Sequence, residues 1–150
     1  MTAFGFYKLD RSPLESALPR LLERVVERGL RALVLSTSQE RVESLDAVLW
    51  TYRQRSFLPH GTAGDGHAAA QPIFLTTAQE NPNSASVLVL VDGAEHDRPE
   101  DFERCLLLFD GKDEAAVADA RRRWGAARDA GHEVVYWQQT RDGQWQRAGD

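Results

Sequence analysis

The chain has 150 residues, a net charge of −5, and 42% hydrophobic against 27% charged residues. At roughly 100–200 residues per domain this predicts a single domain over 1–150 with its own core, and it excludes wholesale disorder. The longest apolar runs, Val87 to Val91 and Cys105 to Phe109, fall far short of the roughly 18–20 residues that cross a membrane, and the acidic balance offers no overall field for a polyanion.

Ala3 to Leu9 is apolar and aromatic and predicts a strand, followed by Ser12 as a helix cap and Pro13 in the first turn. Leu14, Leu18, Leu21, Leu22 and Val25 recur at helical spacing, and Gly29 ends that helix. Ala32 to Leu35 is a short buried strand. Ser36-Thr37-Ser38 then caps a second helix carrying Val42, Leu45, Val48, Leu49 and Tyr52, with Trp50 beside its apolar stripe and so expected in the core. From 53 to 71 periodicity gives way to Pro59, Gly61, Gly64 and Gly66, which predicts a long loop of a kind often functional.

Pro72 to Thr77 and Ser86 to Val91 are strand-like, and Arg98 to Glu103 is a short helical lead into the strand Cys105 to Phe109. Asp113 to Ala130 is a helix stopped by Gly131, and His132 to Gln138 with Gln144-Trp145 flank the turn dipeptide Asp142-Gly143 of a terminal strand or hairpin. Strands alternating with helices predict a three-layer α/β/α domain on a largely parallel or mixed sheet. The first thirty residues hold Lys8, Asp10, Arg11, Glu15 and Arg20 rather than a continuous apolar region, and one cysteine cannot form an internal disulfide. Both features point to the cytoplasm.

Catalytic signatures fail one by one. Gly61-Thr62-Ala63-Gly64-Asp65-Gly66 is followed by His67-Ala68 rather than the Lys and Ser/Thr of a phosphate-binding loop. His60, His67, His96 and His132 lack the paired spacing of metal ligands and are expected to be solvent-facing loop residues. Cys105 sits in a buried strand where a thiolate is disfavoured, and Glu100-Asp101 and Asp113-Glu114 are explained by helix starts. No cofactor or metal is expected. An alternative remains open, a small nucleotide- or metal-dependent α/β enzyme using His60, Asp65 and His67 on the 53–71 loop, because such folds place ligands on loops after βα units.

The most informative segment is Arg121-Arg122-Arg123-Trp124-Gly125-Ala126-Ala127-Arg128. On a helix Val117, Arg121, Trp124 and Arg128 share one stripe, an indole between two guanidinium groups. Such a surface suits a carboxylate beside a hydrophobic side chain, although a core tryptophan among solvated arginines satisfies the same spacing. Phe57 and Leu58, near a proline on the long loop, are either tucked under it or exposed for a partner.

Phe6-Tyr7-Lys8-Leu9, Leu45-Asp46-Ala47-Val48-Leu49-Trp50, Ser56 to His60 with Gly64-Asp65-Gly66, and Arg121 to Trp124 through Ala130-Gly131 to Tyr136-Trp137-Gln138-Gln139 closely resemble, in that order, the chi subunit family of the bacterial DNA polymerase III holoenzyme. The resemblance implies a non-catalytic Rossmann-like domain. It also implies a place in the clamp loader, bound to the psi subunit, and capture of the acidic C-terminal tail of single-stranded-DNA-binding protein (SSB), so that DNA is met only indirectly. By position, the family's tail-binding helix matches Arg121 and Trp124, with Arg128 a further basic position on the same face and Val117 on the same stripe. The loop aromatic used toward psi, or toward a helicase competing for that surface, matches Phe57, with Leu58 and Trp50 beside it. One departure stands out: the lysine that commonly follows the helix aromatic is Gly125 here.

Overall fold

The structure, a computed structural model, describes residues 2–51 and 60–148. Eight strands form one sheet among these residues: β1 (Ala3–Leu9), β2 (Ala32–Leu35), β3 (His60–Thr62), β4 (Ile73–Thr76), β5 (Val87–Leu90), β6 (Arg104–Asp110), β7 (Glu133–Gln139) and β8 (Trp145–Arg147). Their spatial order is β3-β4-β2-β5-β6-β1-β7-β8. All neighbours run parallel except β7 and β8, which form the terminal antiparallel hairpin. The helices are α1 (Leu14–Glu27), α2 (Gln39–Thr51) and α3 (Glu114–Asp129). β2, β4 and β5 are buried at every position, as continuous apolar strands covered on both faces must be.

Side chains alternate across a strand, so the sheet divides into two apolar faces. Val34, Leu75, Val89 and Leu108 pack with Leu18 and Leu22 of α1 and Val42 and Leu45 of α2. Phe6, Leu33, Phe74, Leu88, Cys105 and Leu107 point the other way, toward Ala120 of α3 and the loop residues Ala85, Ala94 and Phe102. The expected three layers are therefore present, with α1 and α2 on one face and α3 on the other. Cys105 is fully buried, and burial pushes its thiol up to about 12, as suits a core side chain.

The turn from β1 into α1 departs from its sequence expectation. Ser12 does not cap the helix: the N-cap position is Pro13, with no side-chain cap bond. Instead the Gln139 carbonyl oxygen accepts from the backbone N–H groups of Asp10 (3.0 Å), Arg11 (2.7 Å) and Ser12 (3.1 Å). The Gln139 amide in turn donates to Ser12 Oγ at 2.6 Å. A residue 127 positions away in sequence thus satisfies the donors that a local cap would have satisfied.

Three further expectations are corrected. The 53–71 segment is not a plain loop, because His60–Thr62 adds an edge strand along β4 and two 3-10 turns, Ala63–Asp65 and Ala68–Ala70, follow it. The segment 98–103 holds only the 3-10 turn Pro99–Asp101 before it. Trp50 is not core: it is 60% exposed, since the buried stripe of α2 runs through Val42, Leu45 and Leu49 and the next residue turns by about 100° away from it.

Candidate functional site

α3 begins at Asp113, whose carboxylate accepts from the N–H groups of Ala115 (3.0 Å) and Ala116 (3.3 Å). It ends where Gly131 takes a left-handed φ of +86°. Its sheet-facing positions are small: Ala120 and Ala127 are buried, and Ala116 packs at the edge of the same cluster. Small residues let the helix lie close to β6 and β7, leaving the larger side chains of its middle turns to spread to its two flanks.

The run of arginines divides between those flanks. Arg123 is held inward, with its side chain 12% exposed; it donates to the carbonyls of Gly93 and Ala94, each at 2.6 Å, and pairs with Asp119 and Glu95. Arg122 pairs with the same two carboxylates at 2.7 and 2.9 Å. These two guanidinium groups are neutralised and fasten α3 to the turn after β5. The single basic cluster expected from the sequence is thus two arginines engaged in structure and two that are not.

The unengaged pair brackets Trp124. This indole is partly buried against the cluster that also takes in Val117 of α3 and Val134 and Tyr136 of β7. The Arg128 guanidinium lies 4.6 Å from the ring centroid, within cation–π range, and its nearest carboxylate, Asp129, is at 4.0 Å. Arg121 is exposed, and its side chain forms no ion pair or hydrogen bond among the described residues. Its charge nonetheless reaches Tyr136, whose hydroxyl is held above the usual phenol range first by burial and then by Asp10, with Arg121 acting in the opposite sense. Of the predicted stripe, Val117 and Trp124 pack in one cluster and Arg128 lies over the indole, with Arg121 one turn before Trp124 on the same helix. Chemically it offers two donor forks on either side of an indole, a geometry that takes up a carboxylate while an apolar group lies on the ring. A β-carbon at Gly125 would meet nothing within 4 Å, so a longer side chain fits there without rearrangement.

Tyr136 and Val134 were not singled out by sequence reasoning. The available signal was the alternation of β7, which sends Val134 and Tyr136 to the α3 face and Trp137 and Gln139 to the other.

The second predicted group is placed in part. Phe57 and Leu58 lie outside the described residues. Trp50 stands at the end of α2 with its ring edge-on to His60, the centroids 4.9 Å apart. It belongs to the β3–β4 end of the sheet, on the face opposite α3 and at the far end from β7.

Only one of the four histidines matches the expected solvent-facing place. His60 is 6% exposed, with Nε2 3.0 Å from an Asp46 carboxylate oxygen. His96 packs edge-on against Phe102 and accepts the Arg98 N–H, and His132 packs against Phe4. His67 is exposed. Asp65 is occupied by the Thr62 N–H at 2.8 Å. Among the described residues no three His, Cys, Asp or Glu side chains are grouped to hold a metal ion.

The place where doubly wound folds bind nucleotides is also built differently. The chain leaves β1 toward one side of the sheet and β6 toward the other, which makes their carboxyl ends the switch point. Its cavity of about 400 Å³ is lined by Asp10, Glu15 and Asp110, whose charges repel phosphate, although Arg11 and Lys112 stand there too. The turn amides that would cradle phosphate are closed by Gln139, and Pro13 has no N–H to offer.

Comparison with known proteins identifies a family. A family model described as DNA polymerase III chi subunit, HolC, matches residues 1–135. Over 91 residues the chain is 36% identical to the "Probable DNA polymerase III subunit chi" of Rickettsia prowazekii (strain Madrid E), covering 61% of this chain and 55% of that protein. Over 86 residues it is 28% identical to the DNA polymerase III subunit chi of Escherichia coli (strain K12), covering 53% of this chain and 58% of that one. The matches thus span a little over half the length of these relatives. No helix among the described residues is long and apolar enough to cross a membrane.

Proposed function

The chain belongs to the DNA polymerase III chi subunit family, and from that premise we propose that it is a non-catalytic adaptor of the replication machinery that binds the acidic C-terminal tail of SSB on α3 and a psi-type clamp-loader partner at the α2 end of the sheet. The observation that carries this reading is the flank around Trp124, where Arg121 and Arg128 are left without strong carboxylate partners while Arg122 and Arg123 are fully paired. The tail's terminal carboxylate and upstream acidic residues meet Arg121 and Arg128. Its last apolar side chain packs beside Trp124, with Val117 and Tyr136 as neighbours. Because these contacts are charge-assisted and exposed, affinity falls as salt rises.

The exposed Trp50 marks the second surface, used toward psi or a competing helicase, to which Phe57 and Leu58 are assigned by the resemblance alone. Its position at the opposite end of the sheet supports simultaneous engagement of both partners, as an adaptor requires.

The test is a calorimetric titration of an SSB tail peptide with and without its last residue. The full peptide is expected to bind and the truncated one to lose at least about tenfold, the equivalent of 1.4 kcal/mol. Arg121→Ala weakens the full peptide similarly, whereas Trp50→Ala leaves it unchanged and lowers psi binding. Equal binding of the two peptides would remove the apolar contact at Trp124 and with it this reading of α3.

A further inference from the structure

On the α1 face, remote from Trp124, lies a cavity of about 200 Å³ lined by Arg24, Arg28, Arg104, Tyr7 and Trp137 over an apolar floor. Arg24 and Arg28 close α1, where cations suit the helix dipole. Arg104 comes from the first position of β6 and has no such reason to be there. None of the three side chains forms an ion pair or hydrogen bond among the described residues, and Glu133, which opens β7 nearby, pairs with none of them. On an acidic protein this is a concentration of unneutralised positive charge.

The charge is coupled to a row of rings. Tyr7 and Trp137 are register neighbours on β1 and β7 and lie nearly parallel, at 11° with centroids 6.0 Å apart, and Trp145 meets Tyr7 edge-on at 5.0 Å. The next position in the same row is Arg147 of β8, opposite Trp137. Gly5 sets the direction of the phenol: a β-carbon there would lie 2.9 Å from the Tyr7 ring, so the ring leans back over the glycine toward the arginines. Burial holds its hydroxyl above the usual phenol range, and the three arginines act in the opposite sense. Positive charge thus stands at the β8 end of this row, at Arg147, and along its flank, at Arg24, Arg28 and Arg104, on a part of the sheet where Trp137 stays partly exposed.

We propose that this face is a binding site for single-stranded nucleic acid without sequence preference, with phosphates at Arg24, Arg28 and Arg104 and a base stacked on the Trp137 indole. Every base has a planar face to offer such a ring, and guanidinium groups along the strand's path supply the remainder of the attraction. An acidic polypeptide would satisfy the arginines but leave the row of rings without a planar partner. The net charge of −5 confines the attraction to this patch, so binding is weak and steeply salt-dependent. The site is independent of the α3 reading.

The experiment is fluorescence anisotropy of a labelled oligothymidylate against the full chain at low salt, with tryptophan quenching as second readout. Binding with quenching is expected. In the triple variant Arg24→Gln, Arg28→Gln, Arg104→Gln, whose changes are all on exposed side chains, binding is expected to be lost; in the single variants the salt slope falls by about one per arginine removed. Trp137→Phe retains most of the affinity and Trp137→Leu does not. The triple variant keeps its affinity for the SSB tail peptide, and Arg121→Ala keeps its affinity for the oligonucleotide, so the two sites fail separately. The proposal is overturned by an absence of oligonucleotide binding in the unmodified chain, by unchanged binding in the triple variant, or by polyglutamate displacing the oligonucleotide at equal charge concentration.

Discussion

At the carboxyl ends of the strands, Arg41 is held between Glu15 at 2.6 Å and Asp92 at 2.8 Å, and the amides after β1 are closed by Gln139. On the outer flank of α3, among the described residues, Arg121 has no carboxylate partner and Arg128 has only one at 4.0 Å. The two regions use the same residue types, and they differ in whether each charge and amide has been given a partner within the chain. In most doubly wound folds the first region is where ligands bind. Here the turn amides and Arg41 are consumed by the fold, while Arg11 and Lys112 share the cavity with three carboxylates, and the proposed recognition falls to a helix flank.

That contrast can be broken from either side. The largest effect is expected for Gln139→Ala, which strips the acceptor from three backbone donors at once. We expect a loss of about 3 kcal/mol, read as a fall of about 6–12 °C in melting temperature, with tail-peptide affinity unchanged. Next comes the division within the arginine run. Arg123→Ala releases two carbonyls and two carboxylates and should cost about 2 kcal/mol in a denaturant titration, whereas Arg121→Ala should stay within about 0.5 kcal/mol while losing the tail. If Arg121→Ala proved the more destabilising of the two, the assignment of structural and recognition roles would be reversed.

Gly125→Lys sharpens the comparison by adding to the unengaged flank. The position is helical and open, so the substitution should stabilise the fold by about 0.7–1 kcal/mol and raise tail affinity, the latter gain vanishing at high salt. The smallest effect is at Glu15. Its carboxyl is held below the usual range by its own backbone N–H at the start of α1 and then by Arg41. A depressed carboxyl contributes stability that is present above its ordinary value and lost as pH falls through the folded one. Glu15→Gln should therefore be less stable than the unmodified chain at neutral pH by under about 1 kcal/mol, the pair being partly exposed, and the gap should close in acid.

The layers of the fold were legible because each is written locally: an apolar, aromatic run in Ala3 to Leu9 and period 3.6 from Leu14 to Val25, with Gly29 and Gly131 stopping helices by a conformation other residues adopt at a cost. The stripe through Val117, Arg121, Trp124 and Arg128 was legible for the same reason. Trp50 was misplaced because a residue at the margin of a helical stripe can turn either way, and the histidines because burial on an edge strand or under a loop has no local signature.

What the sequence by itself determined is thus the succession of strands and helices apart from the edge strand β3, the family and the composition of the α3 helix, since each depends on residues near one another along the chain. Tertiary structure alone decided which arginines keep their charge available. Asp119 is close in sequence to Arg122 and Arg123, but Glu95, Gly93 and Ala94 reach them only across the fold, and Gln139 meets Ser12 from the far end of the chain. A charge is neutralised by whatever stands within a few ångströms of it, and distance in space is what folding sets.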